Sequence, residues 1–337
     1  ADSVTNAPPA WSGVRARPDD DAMLQYTSGS TATPKGVMLT HANLLQNVSQ
    51  IRAAFNVAHG EDDVGVFWLP PFHDMGLIGG MLQPCYVGRG VVLMSSATFL
   101  QRPLAWLEAM SRYRATTSAA PNFAFDMCVD RIKPEDLRGL DLSAWHTVFD
   151  GAEPIRADTI ERFSRAFADA GFRREAFFPC YGLAEATLFV SGGPWGHGAY
   201  TLDVSRAELE QKQVRPAKAG DRLRLVSSGA IAAGQTVRIV DPNTLEPRPD
   251  RRVGEIWVSG ASVARGYWNA ADDTARTFDA RLPGDDAAYL RTGDLGFTDD
   301  GQLFVTGRLK DLIILAGRNY YPHDLELVAE RSHPSLR

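Results

Sequence analysis

Residues 145–171 read WHTVFDGAEPIRADTIERFSRAFADAG. A short apolar run at 145–149 comes first. A small-residue turn follows, and then Ile160, Phe163 and Phe167 recur at helical spacing up to Gly171. Apolar side chains three and four apart fall on one face of a helix, and a glycine past the last of them ends it in a left-handed turn. The stretch therefore predicts a strand, a loop and a helix over 156–170. The same alternation extends toward the N-terminus. A helix is predicted over 41–55, with Leu44, Leu45, Val48, Ile51 and Phe55 periodic and Thr40 as its N-cap. Strands are predicted at 64–69 and 91–94, and a helix at 101–113 with Pro103 in its first turn and Leu104, Leu107 and Met110 on one face. Strands alternating with helices predict an α/β fold, a mostly parallel sheet with flanking helices.

The pattern changes near residue 225. Runs at 225–228, 235–240, 254–259, 302–306 and 312–315 are strand-like, with Val237 and Ile239, then Ile256 and Val258, alternating at period two. A smaller β-rich subdomain, a distorted barrel or sheet, is expected over 225–308. Residues 1–21 form an irregular lead-in and 22–224 the α/β part. Within that part, 191–224 is polar, without period, and expected as an exposed insertion or linker. Pro322 opens a possible final helix.

The chain has 337 residues, 44% apolar and 23% charged, with a net charge of −6, ordinary values for a globular protein. A nucleic-acid partner would favour a basic excess, so none is expected. Cys85, Cys128 and Cys180 are far apart and form no CxxC pair, which suits reduced, mostly buried thiols and a cytoplasmic setting. No run of 18 apolar residues occurs, so no membrane span is expected.

The chemistry concentrates in LQYTSGSTATPKGVMLTH, residues 24–41. A phosphate chain needs converging donors and positive charge. Hydroxyls of Thr27, Ser28, Ser30, Thr31 and Thr33, backbone N–H groups around Gly29 and Gly36, and Lys35 meet that need. The spacing is not that of a Walker loop, because Pro34 and Gly36 stand where glycine and a hydroxyl residue would be required. After the predicted strand at 145–149, Gly151 and Ala152 are small enough for a purine to lie on the backbone. His73 and Asp74 follow a strand and two prolines, and also read as a turn with a helix-capping aspartate.

YTSGSTATPKG resembles the phosphate loop of the adenylate-forming superfamily. WLPPFHDMG (68–76), YGLAE (181–185), RTGDLG (291–296) and GRLKDLIILAGRNYYPHDLE (307–326) follow in that family's order. The variants LQYTSGST, PPFHDMGLIGG, FDGAEPI and YGLAEATLFVSGG resemble the fatty acyl-AMP ligase branch. This resemblance implies an enzyme that uses ATP and Mg²⁺ to convert a fatty acid to acyl-AMP with release of pyrophosphate. The acyl group then passes to a phosphopantetheine on an acyl carrier protein or a polyketide or peptide synthase carrier domain. It implies that Lys35 and the hydroxyl loop hold the β- and γ-phosphates, that Glu185, with Thr31, is associated with the metal, and that His73 lies between the acyl and nucleotide pockets. Met75, Gly76 and Gly79 would line the acyl pocket. Gly151, Ala152, Glu153, Tyr181 and Gly182 would form the adenine slot, with Glu153 orienting its loop. Asp294 would bind the ribose hydroxyls, Arg308 would assist, and Lys310 would mark the hinge of a C-terminal domain beginning in 309–337. The 191–224 stretch sits where this branch has an insertion that hinders coenzyme A.

The family's segment ahead of the phosphate loop and its adenylation lysine have no counterpart in these 337 residues, so a piece of a longer enzyme is expected. An acyl-CoA synthetase and a catalytically incomplete nucleotide- or acyl-binding fragment are the alternatives. Ala32 departs from the family's usual glycine, and its backbone dihedral would decide whether that costs anything.

Overall fold

The computed structural model describes residues 15–27, 34–55, 63–315, 318–322, 325, 326, 329 and 332. Strands β1 (Asp21–Thr27) and β2 (Lys35–Thr40) pair antiparallel, with Thr27 opposite Lys35. Strands β3 (Val64–Phe67), β4 (Gly90–Leu93), β5 (Thr117–Ala120), β6 (Thr147–Asp150) and β7 (Phe177–Gly182) run parallel in the order β4-β3-β5-β6-β7. Strand β8 (Phe189–Gly192) reverses direction beside β7. Strands β9 (Thr201–Ser205) and β10 (Arg222–Val226) form a separate antiparallel pair. Strands β11 (Ala230–Ile231), β12 (Gln235–Val240), β13 (Gly254–Gly260), β14 (Leu290–Asp299) and β15 (Gln302–Arg308) continue antiparallel from β8. Strands β16 (Ile313–Leu315) and β17 (Arg318–Tyr320) pair at the end.

The α/β reading is borne out, with one addition. The parallel part and the β-rich part are hydrogen-bonded into a single eleven-stranded mixed sheet, joined through β8 and β11. Aromatic rings fill the space between the parallel strands and their helices. Trp106, Phe125, Trp145, Phe163 and Phe177 are fully buried, with Phe125 meeting Phe163 and Phe177 edge-on at 5.1 Å. Each such ring stabilises the fold by about 1.5–3 kcal/mol relative to exposure. The Trp106 indole N–H is satisfied by Ser118 Oγ at 2.9 Å.

The predicted helix at 41–55 is His41–Ala54. Thr40 Oγ accepts from Asn43 N at 3.1 Å while Asn43 Oδ1 accepts from Thr40 N at 3.0 Å, a reciprocal cap. Of the apolar stripe expected, Val48, Ile51 and Phe55 are buried and Leu44 packs on the core, but amide side chains share the buried face. Asn43, Asn47 and Gln50 are buried and Leu45 is exposed, because Asn47 bonds both the N–H and the C=O of Phe189 and so docks the helix on β8. The helix predicted over 101–113 is Leu104–Arg112 with Pro103 at its N-cap, and a separate short helix, Ser96–Gln101, ends just ahead of that proline. The helix after β6 is Ala157–Ala166, extended by a 3₁₀ turn to Gly171 at φ 86°.

The stretch 191–224 is not an exposed linker. It carries the β9/β10 pair, and Val204, Leu209 and Val214 are buried with Leu295, Phe297, Phe304 and Tyr321. The strands do alternate, Leu202 and Val204 then Leu223 and Leu225 facing the core, but each is only five residues long and the two are separated by sixteen residues, so the period does not stand out. Cys128 is buried as expected, Cys180 is half-buried and Cys85 is exposed; all three are free thiols. Among the described residues no helix is long and apolar enough to cross a membrane.

Candidate nucleotide and acyl site

The carboxyl ends of β3, β5, β6 and β7 open toward one edge of the parallel sheet, where ligands bind in open α/β folds. The β1/β2 pair stands beside that edge. Gln25 is buried on β1 and donates through Nε2 to the carbonyl of Phe72 at 2.7 Å, tying the strand before the hydroxyl loop to the turn that carries His73. Of the loop, Thr27 and Lys35 are described at its two ends. Ser28, Gly29, Ser30, Thr31, Ala32 and Thr33 lie outside the described residues, as do the dihedral question at Ala32 and the metal role of Thr31.

Lys35 Nζ is 2.7 Å from Asp273 Oδ2 and 4.8 Å from the centroid of the Tyr267 ring. The Tyr267 hydroxyl donates to Glu185 Oε1 at 2.8 Å. Lys35 and Glu185, far apart in sequence, are thus linked through one tyrosine that sequence reasoning missed. The signal was present in ARGYWN at 264–269, but no local pattern marks a tyrosine as a bridge. Glu185 sits in a tight turn after β7, where Thr187 adopts φ 72° and donates to the carbonyl of Ser262 at 2.6 Å. A left-handed β-branched residue costs of order 1–3 kcal/mol, and such strain gathers at functional sites.

Beside this group, Tyr181 is buried, and its hydroxyl donates to Asp294 Oδ2 at 2.7 Å. Arg308 Nε lies 3.3 Å from Asp294 Oδ1, directly across the β14–β15 pair. Burial raises the Asp294 carboxyl above the usual carboxylate range, against the Tyr181 hydrogen bond and the Arg308 charge; Glu185 is near enough to push it further up. Burial and the Asp294 charge raise the Tyr181 phenol well above its ordinary value, so it stays a donor. The 291–294 turn is braced from below. Buried Glu255 receives Arg291 Nη2 at 2.8 Å, Trp257 Nε1 at 2.9 Å and Gly293 N at 3.2 Å.

At the end of β6, Gly151 abuts β7, and a Cβ there would approach the Cys180 carbonyl oxygen to 3.0 Å. Ala152 adopts φ 72°, which turns the backbone sharply after the strand. Glu153 Oε1 accepts weakly from Phe123 N at 3.4 Å, and Asn122 clamps the same loop through the carbonyl of Pro154 and the N–H of Arg156. Asp150 is fully buried, with no hydrogen-bond partner on either side-chain oxygen among the described residues; burial raises its carboxyl well above the usual carboxylate range. Burial also pushes the neighbouring Cys180 thiol up to about 12.

His73 Nδ1 donates to Asp74 Oδ1 at 2.7 Å, and the same oxygen accepts from Met75 N at 2.7 Å. The local reading of Asp74 as a helix cap is met, and the same carboxylate also bonds the His73 ring. That helix, Met75–Leu82, is a π-helix, a form found mostly at functional sites. Gly76 admits no side chain, because a Cβ would come 2.1 Å from the Pro70 carbonyl oxygen. Gly79 has room, its nearest neighbour being Leu188 Cδ2 at 3.5 Å. Met75 is buried with Phe67 and Ala119, and Leu188 packs on the same cluster. Gly182 is as closely confined as Gly76, a Cβ there meeting the Leu188 carbonyl oxygen at 1.7 Å. Lys310 is exposed in the turn after β15.

Known proteins resemble this chain in sequence and in fold. A family model described as "AMP-binding enzyme" matches residues 3–268. The chain is 48% identical over 332 residues to the medium-chain fatty acid–[acyl-carrier-protein] ligase JamA of Moorena producens, covering 97% of this chain and 56% of that protein. It is 42% identical over 329 residues to the long-chain fatty acid–AMP ligase FadD23 of Mycobacterium tuberculosis, covering 94% and 56%. The fatty acyl-adenylate ligase from L. pneumophila, solved with acyl adenylate and pyrophosphate, superposes with a TM-score of 0.86 at 49% identity, over 95% of this chain and 56% of that one. The chain thus spans about half the length of the curated relatives it matches. With that match over residues 3–268, and with the fold and these relatives in agreement, the chain belongs to the AMP-binding family of adenylate-forming enzymes.

Proposed function

We propose that this chain is the nucleotide- and acyl-binding body of a fatty acyl-AMP ligase. The observation that carries the reading is the pairing of Lys35 and Glu185 through Tyr267, immediately beside the Tyr181–Asp294–Arg308 group. A cation, a carboxylate with one free oxygen, and a buried carboxylate on an aromatic wall are what a magnesium nucleotide needs. The carboxylate of a fatty acid attacks the α-phosphorus of ATP, the bond to the β-phosphate oxygen breaks, and its electron pair leaves with pyrophosphate. Lys35 and the loop after Thr27 hold the departing phosphates. Asp294 accepts the ribose hydroxyls, and the backbone at Gly151–Ala152 with Tyr181 confines the base. His73 and the Met75–Gly79 backbone face the acyl group. Positioning and charge neutralisation supply the acceleration.

The residues fit a magnesium ion held mainly by substrate. Glu185 Oε1 is fixed by Tyr267 and its Oε2 is not engaged among the described residues, while no cluster of three metal-ligating side chains occurs among them. Mg²⁺ takes one or two carboxylates and fills the rest of its shell with phosphate oxygens and water. When bound, it neutralises charge on the leaving group.

The acceptor is a phosphopantetheine thiol of a carrier protein, which attacks the acyl carbonyl and releases AMP. The acyl carrier protein in the named function of JamA supports this over coenzyme A. So does the folded 201–226 segment packed beside β14, β15 and Tyr321, next to the proposed hinge at Lys310. A cytoplasmic setting, which suits three free thiols, belongs to the same proposal.

The test is fatty-acid-dependent exchange of labelled pyrophosphate into ATP by the intact protein. Exchange without coenzyme A is expected, and Lys35→Ala and Glu185→Gln should each lower it roughly a hundredfold. Exchange driven by an amino acid instead, or no exchange with any fatty acid, would overturn the reading.

A further inference from the structure

Tyr267 is built into the phosphate strand. Met38 N donates to the carbonyl of Gly266 at 2.9 Å and Trp268 N to that of Gly36 at 2.7 Å, so residues 266–268 lie against β2. The same segment grips the Glu185 turn, since Ala264 N donates to the Glu185 carbonyl at 2.9 Å. The tyrosine is fixed from behind: its N–H bonds Thr274 Oγ1 at 2.9 Å, and its ring meets Phe278 edge-on at 5.1 Å. Its two functional faces are then set. The hydroxyl fixes one oxygen of Glu185, the other is not engaged among the described residues, and the ring face supports the Lys35 ammonium.

Lys35 also has Asp273 at 2.7 Å, and Asp273 binds Arg276 through its other oxygen. When Lys35 turns to a phosphate, Asp273 keeps a cationic partner and is not left stranded.

We propose that Tyr267 is a positioning residue that sets Lys35 and Glu185 at the separation a magnesium triphosphate requires, and that Asp273 is a placeholder anion that parks Lys35 over the ring until phosphate oxygens replace it. This rests on the nucleotide-binding reading above. A carboxylate held by an outer hydrogen bond presents its free oxygen to a metal in one direction, and outer partners of this kind change metal affinity about 10- to 100-fold when removed. A ring face holds an ammonium without consuming its hydrogen-bond donors, which remain available to phosphate. Burial and the Glu185 charge raise the Tyr267 phenol far above its usual value, so it remains the donor.

Equilibrium titration of the intact protein with ATP by calorimetry, with no fatty acid present, tests this in two arms, excess Mg²⁺ and excess EDTA. Tyr267→Phe should weaken binding roughly tenfold with Mg²⁺ and less than about twofold in EDTA, because only the Glu185 contact is lost. Tyr267→Leu should weaken both arms. Asp273→Asn should tighten both by about threefold, as phosphate no longer competes with a carboxylate for Lys35. Should Tyr267→Leu fail to fold, Tyr267→Phe and Asp273→Asn still decide. Tyr267→Phe matching a wild type that favours Mg-ATP over ATP would overturn the proposal and leave the reading standing. Asp273→Asn weakening ATP would overturn the placeholder role. A wild type that binds ATP in neither arm would overturn the reading and the proposal with it.

Discussion

The parallel and antiparallel parts of the sheet build the same site in different ways. The parallel strands end in backbone shapes: Gly76 under the Pro70 carbonyl, Ala152 and Thr187 left-handed, Gly182 against Leu188. The antiparallel strands present paired side chains, Asp294 directly across from Arg308 and Glu255 reaching Arg291 past a bulge in the β13–β14 pair. One part makes a shape that a flat ring and an apolar tail can enter; the other holds charges already partnered before a ligand arrives. Damage to the first should act through sterics and be insensitive to salt and pH. Damage to the second should act through unpaired polar groups.

The sharpest break is Gly76→Ala. Its methyl must displace the Pro70 carbonyl by more than 1 Å to reach ordinary contact, and backbone gives less readily than a side chain, so about 3 kcal/mol or more of stability should be lost. Gly79→Ala, three residues on in the same helix, meets only the end of Leu188 and should cost less than about 1 kcal/mol. Urea unfolding of the two variants measures the contrast; equal losses would mean that the π-helix, not the carbonyl contact, demands glycine.

Glu255→Gln is the counterpart in the antiparallel part. It keeps the shape and leaves Arg291 with no anion in a buried setting, which should cost about 2 kcal/mol, less than a fully buried pair because Arg291 is partly solvated. The loss should be accompanied by weaker nucleotide binding, since the Gly293 N–H that Glu255 holds shapes the turn before Asp294. Unchanged stability would show that the carboxylate is not needed to close that turn.

Much of this division was visible in the sequence. The alternation of periods separated the α/β part from the β-rich part, and motif order placed Lys35, Glu185, Tyr181 and Asp294 in one site. What escaped was pairing between residues distant in the chain. Tyr267 lies 82 residues from Glu185 and Gln25 lies 47 from Phe72, and neither distance leaves a local signature. The polar part of the buried face of His41–Ala54 escaped for a related reason: amides that look solvated in a helical pattern are buried because Asn47 completes the hydrogen bonds of β8. The left-handed turn at Ala152 escaped because alanine at φ 72° breaks the rule that glycine takes such positions. Ala152→Gly should therefore stabilise the fold by up to about 1 kcal/mol, the left-handed strain exceeding glycine's added unfolded-state freedom. A loss instead would mean that the alanine methyl packs against something the loop needs.

The smallest effect tests whether charge counts where the parallel strands meet the site. A pair of the kind found in the antiparallel part stands there too, His73 and Asp74, after the end of β3. The Asp74 hydrogen bond raises the His73 imidazole above 6.5, against partial desolvation. The sign follows from that direction. The imidazolium is favoured in the folded state, so the stability it adds is complete below about pH 6.5, where the unfolded chain is also protonated, and fades as pH rises through the higher folded value. The imidazole is half exposed, so the contribution stays below about 1 kcal/mol. His73→Gln should thus cost more stability at pH 6 than at pH 9, by a few tenths of a kcal/mol in paired urea titrations. An equal cost at both pH values would show that Asp74 orients a neutral ring. The contrast between a part that works by shape and a part that works by charge would then hold without exception at this edge of the sheet. A cost that falls with pH makes His73 the place where the two modes meet, a charged side chain set on a turn whose backbone is fixed by Pro70, Gln25 and Gly76.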